Sequence, residues 1–350
     1  MSDRFAHLHV HTEYSILDGA CRIKDALNAA KDMGSDSLAI TDHGVMYGAL
    51  YFYQKALEKG IKPIIGSEVY LAPRSRHEKE GGYDEQPYHL VLLAATGDGY
   101  RNLMKIVTRG FTEGFYYRPR VDKEVLREHC GGLIALSGCL KGELDTLLLA
   151  GDLKGAEKAL DEYLGIFGEG NFYIELMDHG IPEQREVNPM LMQLAAAKGV
   201  PLVATNDVHY VRREESGPHD VLLCIQTGKV LNESGRLKFS NDEFYMKTPV
   251  EMAELFPDYP EAVSNSAEIA DRCNVEIRLG NVYLPRYSPP PGYDLDSYLE
   301  HLAREGVKKK YPEVTPEVLE RLESELEVIK SLQFSGYFLI VWDFIRYARE

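Results

Sequence analysis

Three histidines alternate near the start of the chain, which reads His7-Leu8-His9-Val10-His11. Alternate residues of a β-strand point to the same face, so this spacing brings imidazoles together. Two imidazoles on one face can chelate a divalent ion, and a third can orient them. Because surface or packing histidines also produce such a pair, the motif indicates a metal site only where other donors join it.

Further metal-capable side chains stand at or after other predicted strands. With the first histidines they form a set of nine candidate ligands, which are His9, His11, Asp18, His43, Glu68, His89, Cys139, Asp207 and His209. Zinc usually takes about four ligands, so nine indicate about two or three ions. Imidazole and thiolate favour zinc, the carboxylates also suit manganese, and the mixture argues against a calcium or magnesium cage.

The elements that position these side chains are short β-rich runs separated mostly by stretches with helical spacing. Seven such runs precede residue 210, at 5–11, 37–41, 62–71, 88–95, 132–137, 171–177 and 201–205. Their alternation with helices indicates βαβ units and a parallel sheet. Without a Gly-rich dinucleotide motif, the pattern favours a closed or nearly closed α/β barrel, whose chemistry sits at the carboxyl ends of its strands.

One candidate ligand departs from that rule. His89 opens the run 88–95, whereas the other candidates lie near the end of a run or in the loop that follows it. A tilted or displaced strand would be needed to bring His89 to the same rim.

The second half of the chain predicts a domain boundary. The Pro-rich stretch 284–293 cannot continue a helix or a central strand. We therefore predict a metal-binding barrel domain at 1–283, a linker at 284–293 and a helical region at 294–350. Thr315-Pro316 resembles a helix start, with that helix running to about Leu332. The segment 337–349 is apolar on nearly every side, which predicts either a terminal core helix or a cut before a further domain.

Composition narrows the function classes. The 350 residues carry a net charge of −16, which argues against a general nucleic-acid binder, although bound cations would change the local charge. The five cysteines are scattered and odd in number, which argues against a disulfide framework. No apolar run approaches the roughly 18 residues of a membrane span, and no secretory core is seen, so we expect a cytoplasmic protein without membrane contact.

Other residues are weaker candidates. Glu175, Asp178 and His179 close the sixth run and could reach the rim, although a direct ligand role is the less favoured interpretation. The segment 116–120, Tyr-Tyr-Arg-Pro-Arg, places aromatic residues beside arginines, which suits bases and phosphates, although a solvated loop is the favoured interpretation. Arg74 and Arg76 lie in a loop that is either a mobile cationic lid or a solvated charge run.

The candidate ligands and their surroundings resemble the PHP (polymerase and histidinol phosphatase) family, ligand by ligand. Within that family the chain resembles the start of replicative polymerase α subunits, and the tail SGYFLIVWD at 335–343 is similar to the beginning of a polymerase palm. The motifs that carry the resemblance are FAHLHVHTEYS at 5–15, AITDHG at 39–44, GIKPIIG at 60–66, LSGCL at 136–140 and ATNDVHY at 204–210.

The resemblance implies a distorted seven-stranded (β/α) barrel with a trinuclear metal site, followed by the mostly helical start of the palm. By motif, the first ion would be held by His9, His11, Glu68 and Asp207. Glu68 would bridge to a second ion bound by His89 and Cys139, and Asp18, His43 and His209 would hold the third. Cys139 stands where small-molecule members often have histidine. Since none of the nine ligands is missing, an active site is favoured.

The function implied is a metal-dependent phosphoesterase, namely a 3′–5′ proofreading exonuclease. Its catalytic group would be a metal-bound water held by His9, His11, Glu68 and Asp207, and its substrate a DNA 3′ end. The rest of the polymerase α subunit and other replisome subunits would be partners, with the polymerase's own active site beyond residue 350. The candidate DNA contacts are Arg74, Arg76, Arg118 and Arg120.

Two alternatives stay open from the sequence. The metals could stabilise a structural scaffold for the polymerase and its partners, without hydrolysis. The chain could also be a small-molecule phosphomonoesterase, but the predicted domain boundary and the polymerase-like tail count against this.

Overall fold

A curled sheet of mixed α/β architecture lies at the centre of the first of two units, Met1–Ile277 and Arg278–Glu350. The computed structural model describes residues 4–16, 18–82, 84–281 and 285–350. The predicted boundary at 283–284 lies outside the described residues. The strands assigned within the described ranges are β1 Ser37–Ile40, β2 Lys62–Leu71, β3 Tyr88–Ala94, β4 Phe115–Tyr116, β5 Arg118–Val121, β6 Leu133–Leu136, β7 Phe172–Leu176 and β8 Leu202–Ala204.

The strand order is β4-β5-β2-β3-β6-β7-β8, with β1 paired to the first half of β2. Most neighbours are parallel, as predicted, but β3 runs antiparallel to both β2 and β6, and the short β4 runs antiparallel to β5. The prediction of a parallel sheet therefore holds for most strand pairs but not for those of β3 and β4. Because β3 is reversed, its first residues lie at the edge where β2 ends, with His89 paired to Tyr70.

The predicted first strand, 5–11, forms no regular strand in the structure. Its backbone instead accepts hydrogen bonds from β1, at 2.9 Å from Ala39 N to His7 O, and exchanges bonds with Val208 on the other side. Isolated bridges of this kind do not make a ladder, yet they fill the gap between β1 and the chain after β8. The curl of the sheet is thus bridged by an irregular segment.

Helices cover the sheet, and several begin at side chains that cap the free backbone N–H groups. Thr96 accepts from Gly99 N, and Asp122 from Val125 N. The helices of this unit, capped or not, are α1 Ile23–Asp32, α2 Ala49–Lys59, α3 Gly97–Thr112, α4 Lys123–His129, α5 Glu143–Leu149, α6 Leu153–Phe167, α7 Pro182–Lys198, α8 Ser216–Thr227, α9 Pro249–Leu255 and α10 Pro260–Arg272, with a 3₁₀ turn at Arg213–Glu215.

The second unit is helical, with α11 Leu295–Lys310, α12 Pro316–Ser331 and α13 Ser335–Arg349 around a small core. The predicted helix start at Thr315-Pro316 is confirmed. Burial on nearly every side of α13 is not observed, since Phe344 and Tyr347 are exposed. Among the described helices, none is by itself long and apolar enough to span a membrane; α12 and α13 reach that measure only together, across a bend of 113°.

Candidate metal centre

The structure brings all nine predicted ligands together. Three groups have donor atoms within 4.8 Å of one another, and they share His11 and His43. Cys139 Sγ lies 3.9 Å from Glu68 Oε1 and 4.0 Å from His89 Nδ1. The groups are His11, Asp18, His43 and His209; His9, His11 and Asp207; and His43, Glu68 and His89.

The ligands come from several elements that meet at one edge of the sheet. His43 follows β1, Cys139 follows β6, and the loop after β8 carries Asp207. His89 reaches the same edge because β3 is reversed, so no tilted or displaced strand is needed. Glu68 stands in the middle of β2 and is 1% exposed.

Glu68 is the centre of the arrangement. Its Oε1 lies 2.9 Å from His89 Nδ1 and 3.4 Å from His9 Nε2. Its Oε2 lies 2.6 Å from His43 Nδ1 and 3.4 Å from His11 Nε2. A buried carboxylate with four imidazoles around its two oxygens could serve as a ligand in a site for divalent cations.

Several buried donor atoms here have no hydrogen-bond partner among the described residues. Leaving a buried polar group unpaired costs about 1–3 kcal/mol, and more when it is charged. Such a concentration fits divalent ions, whose ligands are unprotonated imidazole and carboxylate. The atoms without a hydrogen bond to the described part of the chain are His9 Nε2, His11 Nε2, Asp18 Oδ1, His43 Nδ1, Glu68 Oε2 and Asp207 Oδ1. Some of them lie close together, as His43 Nδ1 and Glu68 Oε2 do at 2.6 Å, but without the geometry of a hydrogen bond.

Charge in the centre is set by its carboxylates. Burial would raise the pKa of Glu68, but His89, His43 and His9 outweigh it and hold that pKa well below its usual range. Asp207 likewise has a pKa well below its usual range, because His9 and other imidazoles outweigh burial. Both carboxylates are therefore ionised at neutral pH and attract cations.

The imidazoles divide into two kinds. Burial lowers the pKa of His209 to about 4 and also lowers the pKa of His11 and His89, which favours the neutral, ligating form. The pKa of His9 is raised well above its usual value because Glu175 and other nearby carboxylates outweigh burial. Such a strong anionic field around His9 is the field that a cation would neutralise.

Glu175 contacts the far side of a candidate ligand. Its Oε1 lies 2.8 Å from His9 Nδ1 and accepts the hydroxyl of Thr205, while Oε2 accepts from Gly138 N at 3.0 Å. A carboxylate on one ring nitrogen fixes the tautomer and aims the other nitrogen at a metal. Glu175 therefore orients His9. Asp178, another of the weaker candidates, accepts a hydrogen bond from Gly180 N at 2.7 Å.

His179 supports the loop that carries Asp207. Its Nε2 lies 3.0 Å from Asn206 O, and Asn206 Nδ2 donates to the carbonyls of Glu243 and Tyr245 at 2.9 and 2.7 Å. Asp207 has a φ of 40°, a left-handed conformation that is uncommon outside glycine. This role of Asn206 was not predicted from the sequence. The signal for it was the position of Asn206 in ATNDVHY, just before the candidate ligands Asp207 and His209.

Three of the four predicted DNA-contacting arginines are engaged elsewhere. The buried guanidinium of Arg120 donates to the carbonyls of Gly114, Asp84, Arg76 and Glu78 at 2.8–3.2 Å. It holds the loop in place, because each of these carbonyls needs a donor once it is buried. Arg120 is thus not positioned to contact DNA.

Arg76 is also buried, with its guanidinium 3.0 Å from Asp122 and 2.7 Å from Glu124. Arg74 forms an ion pair of 2.7 Å with Asp84. The loop they occupy is therefore tied down by ion pairs, contrary to the interpretation as a mobile cationic lid.

Arg118 differs, because it lines a cavity that opens at the metal centre. The cavity has a volume of about 790 Å³ and is also lined by Asp18, His43, His89 and Lys141. A second hollow of about 220 Å³ shares Asp18, His43 and Arg118. The centre is therefore accessible from a space large enough for a small organic ligand.

Comparison with known proteins agrees with the motifs. The family profile described as PHP domain matches residues 7–179, and the profile described as bacterial DNA polymerase III alpha NTPase domain matches residues 297–350. A solved two-domain protein from Bacteroides vulgatus, described as containing a predicted PHP-like metal-dependent phosphoesterase, is 14% identical with a TM-score of 0.38, covering 77% of this chain and 69% of that one.

The curated relatives are longer proteins. DNA polymerase III subunit alpha of Treponema pallidum is 47% identical over 348 residues, which are 99% of this chain and 30% of that protein. The subunit of the same name from Borreliella burgdorferi is 44% identical over 350 residues, again 99% of this chain and 30% of the relative. The chain thus spans about 30% of the length of these relatives. Residues 7–179 therefore match the PHP family, and nearly the whole chain is similar to part of the bacterial DNA polymerase III α subunits.

Proposed function

We propose that this chain binds about two or three divalent ions, zinc or manganese, and hydrolyses the terminal phosphodiester of a DNA 3′ end as a proofreading exonuclease. The observation that carries the proposal is the set of buried donor atoms without hydrogen-bond partners around Glu68. The coarser basis is the match of residues 7–179 to the PHP family profile.

The proposed allotment of ligands is the one that the family resemblance implies, and it overlaps in part with the donor groups of the structure. Glu68 is shared, because its two oxygens face different imidazoles. One ion would be held by His9, His11, Glu68 and Asp207, a second by Glu68, His89 and Cys139, and a third by Asp18, His43 and His209.

The side chains of the centre do the positioning. Bound ions supply Lewis acidity and bring the pKa of water toward neutrality. Glu175 keeps Nε2 of His9 aimed at the centre, and Asn206 holds the strained Asp207 in place. Arg118 and Lys141 line the cavity and would attract the phosphate of the substrate. An unpaired end enters more easily than a duplex, because unpairing costs a few kcal/mol.

The proposed partners follow from the relatives. Because those proteins are named DNA polymerase III subunit alpha and are longer than this chain, we infer that DNA and the rest of such a subunit are its partners, in the cytoplasm, with other replisome subunits nearby. Proofreading would then act on ends that the polymerase has just extended.

The test offers three substrates to the metal-loaded chain, whose ion content is measured by plasma mass spectrometry. These are a primer with a 3′ mismatch, a matched primer and p-nitrophenyl phosphate. We expect nucleotides to be released from the primers, faster from the mismatch, and Asp207→Asn to abolish the release and so exclude a contaminating nuclease.

Two results would contradict the proposal. Intact primers at full metal occupancy, with a thermal midpoint that falls on chelation, would indicate a structural scaffold. Turnover of p-nitrophenyl phosphate alone would indicate a phosphomonoesterase.

A further inference from the structure

Exposed aromatic residues surround the smaller hollow beside the metal centre. Tyr47, Phe111, Phe115 and Tyr117 line it, with 39–67% of each residue's surface exposed, and we call these four residues the aromatic rim. Exposed apolar residues scattered singly are normal on a protein surface, but a contiguous group indicates a binding surface. The rim lies within one unit of the chain, next to His43 of the candidate metal centre.

Tyr117 stands at a strained turn. It connects β4 to β5, where Tyr116 pairs directly with Arg118, and its φ is 56°. Glycine or asparagine is the usual residue in this left-handed region, and a bulky side chain there is an outlier. Outliers of this kind cluster at functional sites, where the surrounding structure holds them in place. The turn thus projects a large exposed ring beside the hollow despite the strain.

A cation accompanies the rings. The guanidinium carbon of Arg118 lies 5.7 Å from the centre of the Tyr70 ring, and Tyr70 stacks on His43 with ring centres 5.6 Å apart. No carboxylate forms an ion pair with Arg118 within the described ranges, in contrast to Arg74 and Arg76. In a chain with a net charge of −16, this position is a local site of attraction for a phosphate.

We propose that the aromatic rim and Arg118 seat an unpaired nucleic-acid strand whose 3′ end enters the metal centre. Bases stack on the rings, which is possible for any base but requires that it be unpaired, and the backbone phosphate contacts Arg118. This inference rests on the proposed exonuclease function and deepens it: the substrate is a single strand several nucleotides long, rather than a duplex end or a mononucleotide.

The test measures binding separately from hydrolysis. A fluorescein-labelled oligothymidylate with phosphorothioate linkages at its 3′ end is titrated with the metal-loaded 350-residue chain, and Kd is read from anisotropy. We expect Tyr117→Ala and Phe115→Ala each to raise Kd about ten-fold, because each removes a stacking surface. Tyr117→Trp should retain binding. Tyr311→Ala, which removes an exposed tyrosine of the other unit, should not alter Kd.

A glycine variant separates binding from folding. Tyr117→Gly relieves the left-handed strain, so its thermal midpoint should equal or exceed that of the parent while its Kd rises as in Tyr117→Ala. The proposal would be wrong if the Kd of the rim variants stayed within about two-fold of the parent's, or if Tyr311→Ala raised Kd as much as they do. If the primers are hydrolysed equally by the parent and the rim variants, the proposed strand-binding role of the rim is wrong and the exonuclease proposal stands. If the strand binds in a rim-dependent way but is not hydrolysed, the binding role is supported and only the exonuclease proposal is contradicted.

Discussion

Glu175 Oε1 lies 2.8 Å from Nδ1 of His9, while Nε2 of the same ring lies 3.3 Å from Asp207 Oδ1 inside the metal centre. A buried carboxylate thus holds a candidate ligand from behind. The sequence predicts Glu175 near the rim as a weaker ligand candidate, whereas in the structure it orients His9.

The first prediction concerns this contact. Glu175→Gln removes the charge that fixes the His9 tautomer, and such substitutions typically lower metal affinity about 10–100-fold. Competition with a fluorescent zinc chelator measures the affinity. Glu186→Gln, on the exposed face of α7, is the matched control and should bind as the parent does. Equal affinities for both variants would show that Glu175 only fills space.

The nine-ligand set could be predicted from the sequence, because donor types at strand ends are a local pattern. The directions of the strands explain why these donors converge. The reversal of β3 was harder to predict. A parallel return normally needs a crossover of a dozen or more residues, usually helical, whereas the described residues between β2 and β3 contain no helix. The absence of a helix from the described residues between these strands was therefore the signal for an antiparallel β3. The reversal of β3 explains why a ligand at the start of this strand reaches the site.

Arg120 shows the opposite limit. Its sequence surroundings, between aromatic residues and cations, suit a nucleic-acid contact, yet its guanidinium is satisfied by carbonyls up to 44 residues away. Such a match depends on the folded path of the loop, and no local pattern in the sequence encodes it. The segment 5–11 is a related case: its alternation predicts a strand, but the structure forms only an isolated bridge there, between Val10 and Val208.

The second prediction concerns the loop before Asp207. Asn206→Ala leaves the carbonyls of Glu243 and Tyr245 without this donor and frees the strained backbone, so stability should fall by about 1–3 kcal/mol and metal affinity should fall with it. Asn265→Ala is the control, since Asn265 also donates to a carbonyl, that of Leu202 at 2.8 Å.

Urea unfolding and the chelator competition measure the two effects separately. The control should lose stability and keep its metal affinity. If Asn206→Ala behaves in the same way as Asn265→Ala, then Asn206 supports the fold without positioning Asp207.

The third prediction concerns pH. Burial, and then the charge of Glu175, raise the pKa of Asp145 well above its usual value, and Asp145 Oδ2 has no hydrogen-bond partner among the described atoms. In the unfolded chain this carboxyl ionises near its ordinary pKa of 3.8, whereas in the folded chain it ionises only at a much higher pH. Asp145 therefore lowers the free energy of unfolding progressively as pH rises above 3.8.

Asp145→Asn should therefore raise the thermal midpoint at pH 8, by about 2 °C or more, and have little effect near pH 4. Scanning calorimetry of parent and variant across this range measures the difference. A gain that is the same at both pH values would mean that the carboxyl titrates normally.

The fourth prediction concerns metal removal. Ions that bind only the folded chain stabilise it by about 2.7 kcal/mol at a concentration of 100 Kd, so zinc should raise the thermal midpoint and excess chelator should lower it. Asp207→Asn and His43→Ala remove one ligand from different donor groups, and each should reduce the zinc-dependent rise. The chelator effect should be smaller still in a variant that lacks both side chains, in which the proposed position at Glu68, His89 and Cys139 keeps its ligands. His77→Ala, an exposed histidine outside the donor groups, is the control and should respond to zinc as the parent does. A zinc-dependent rise in the double variant as large as that of the parent would contradict the prediction, because it would show that ions bound by Asp207 and His43 do not stabilise the fold.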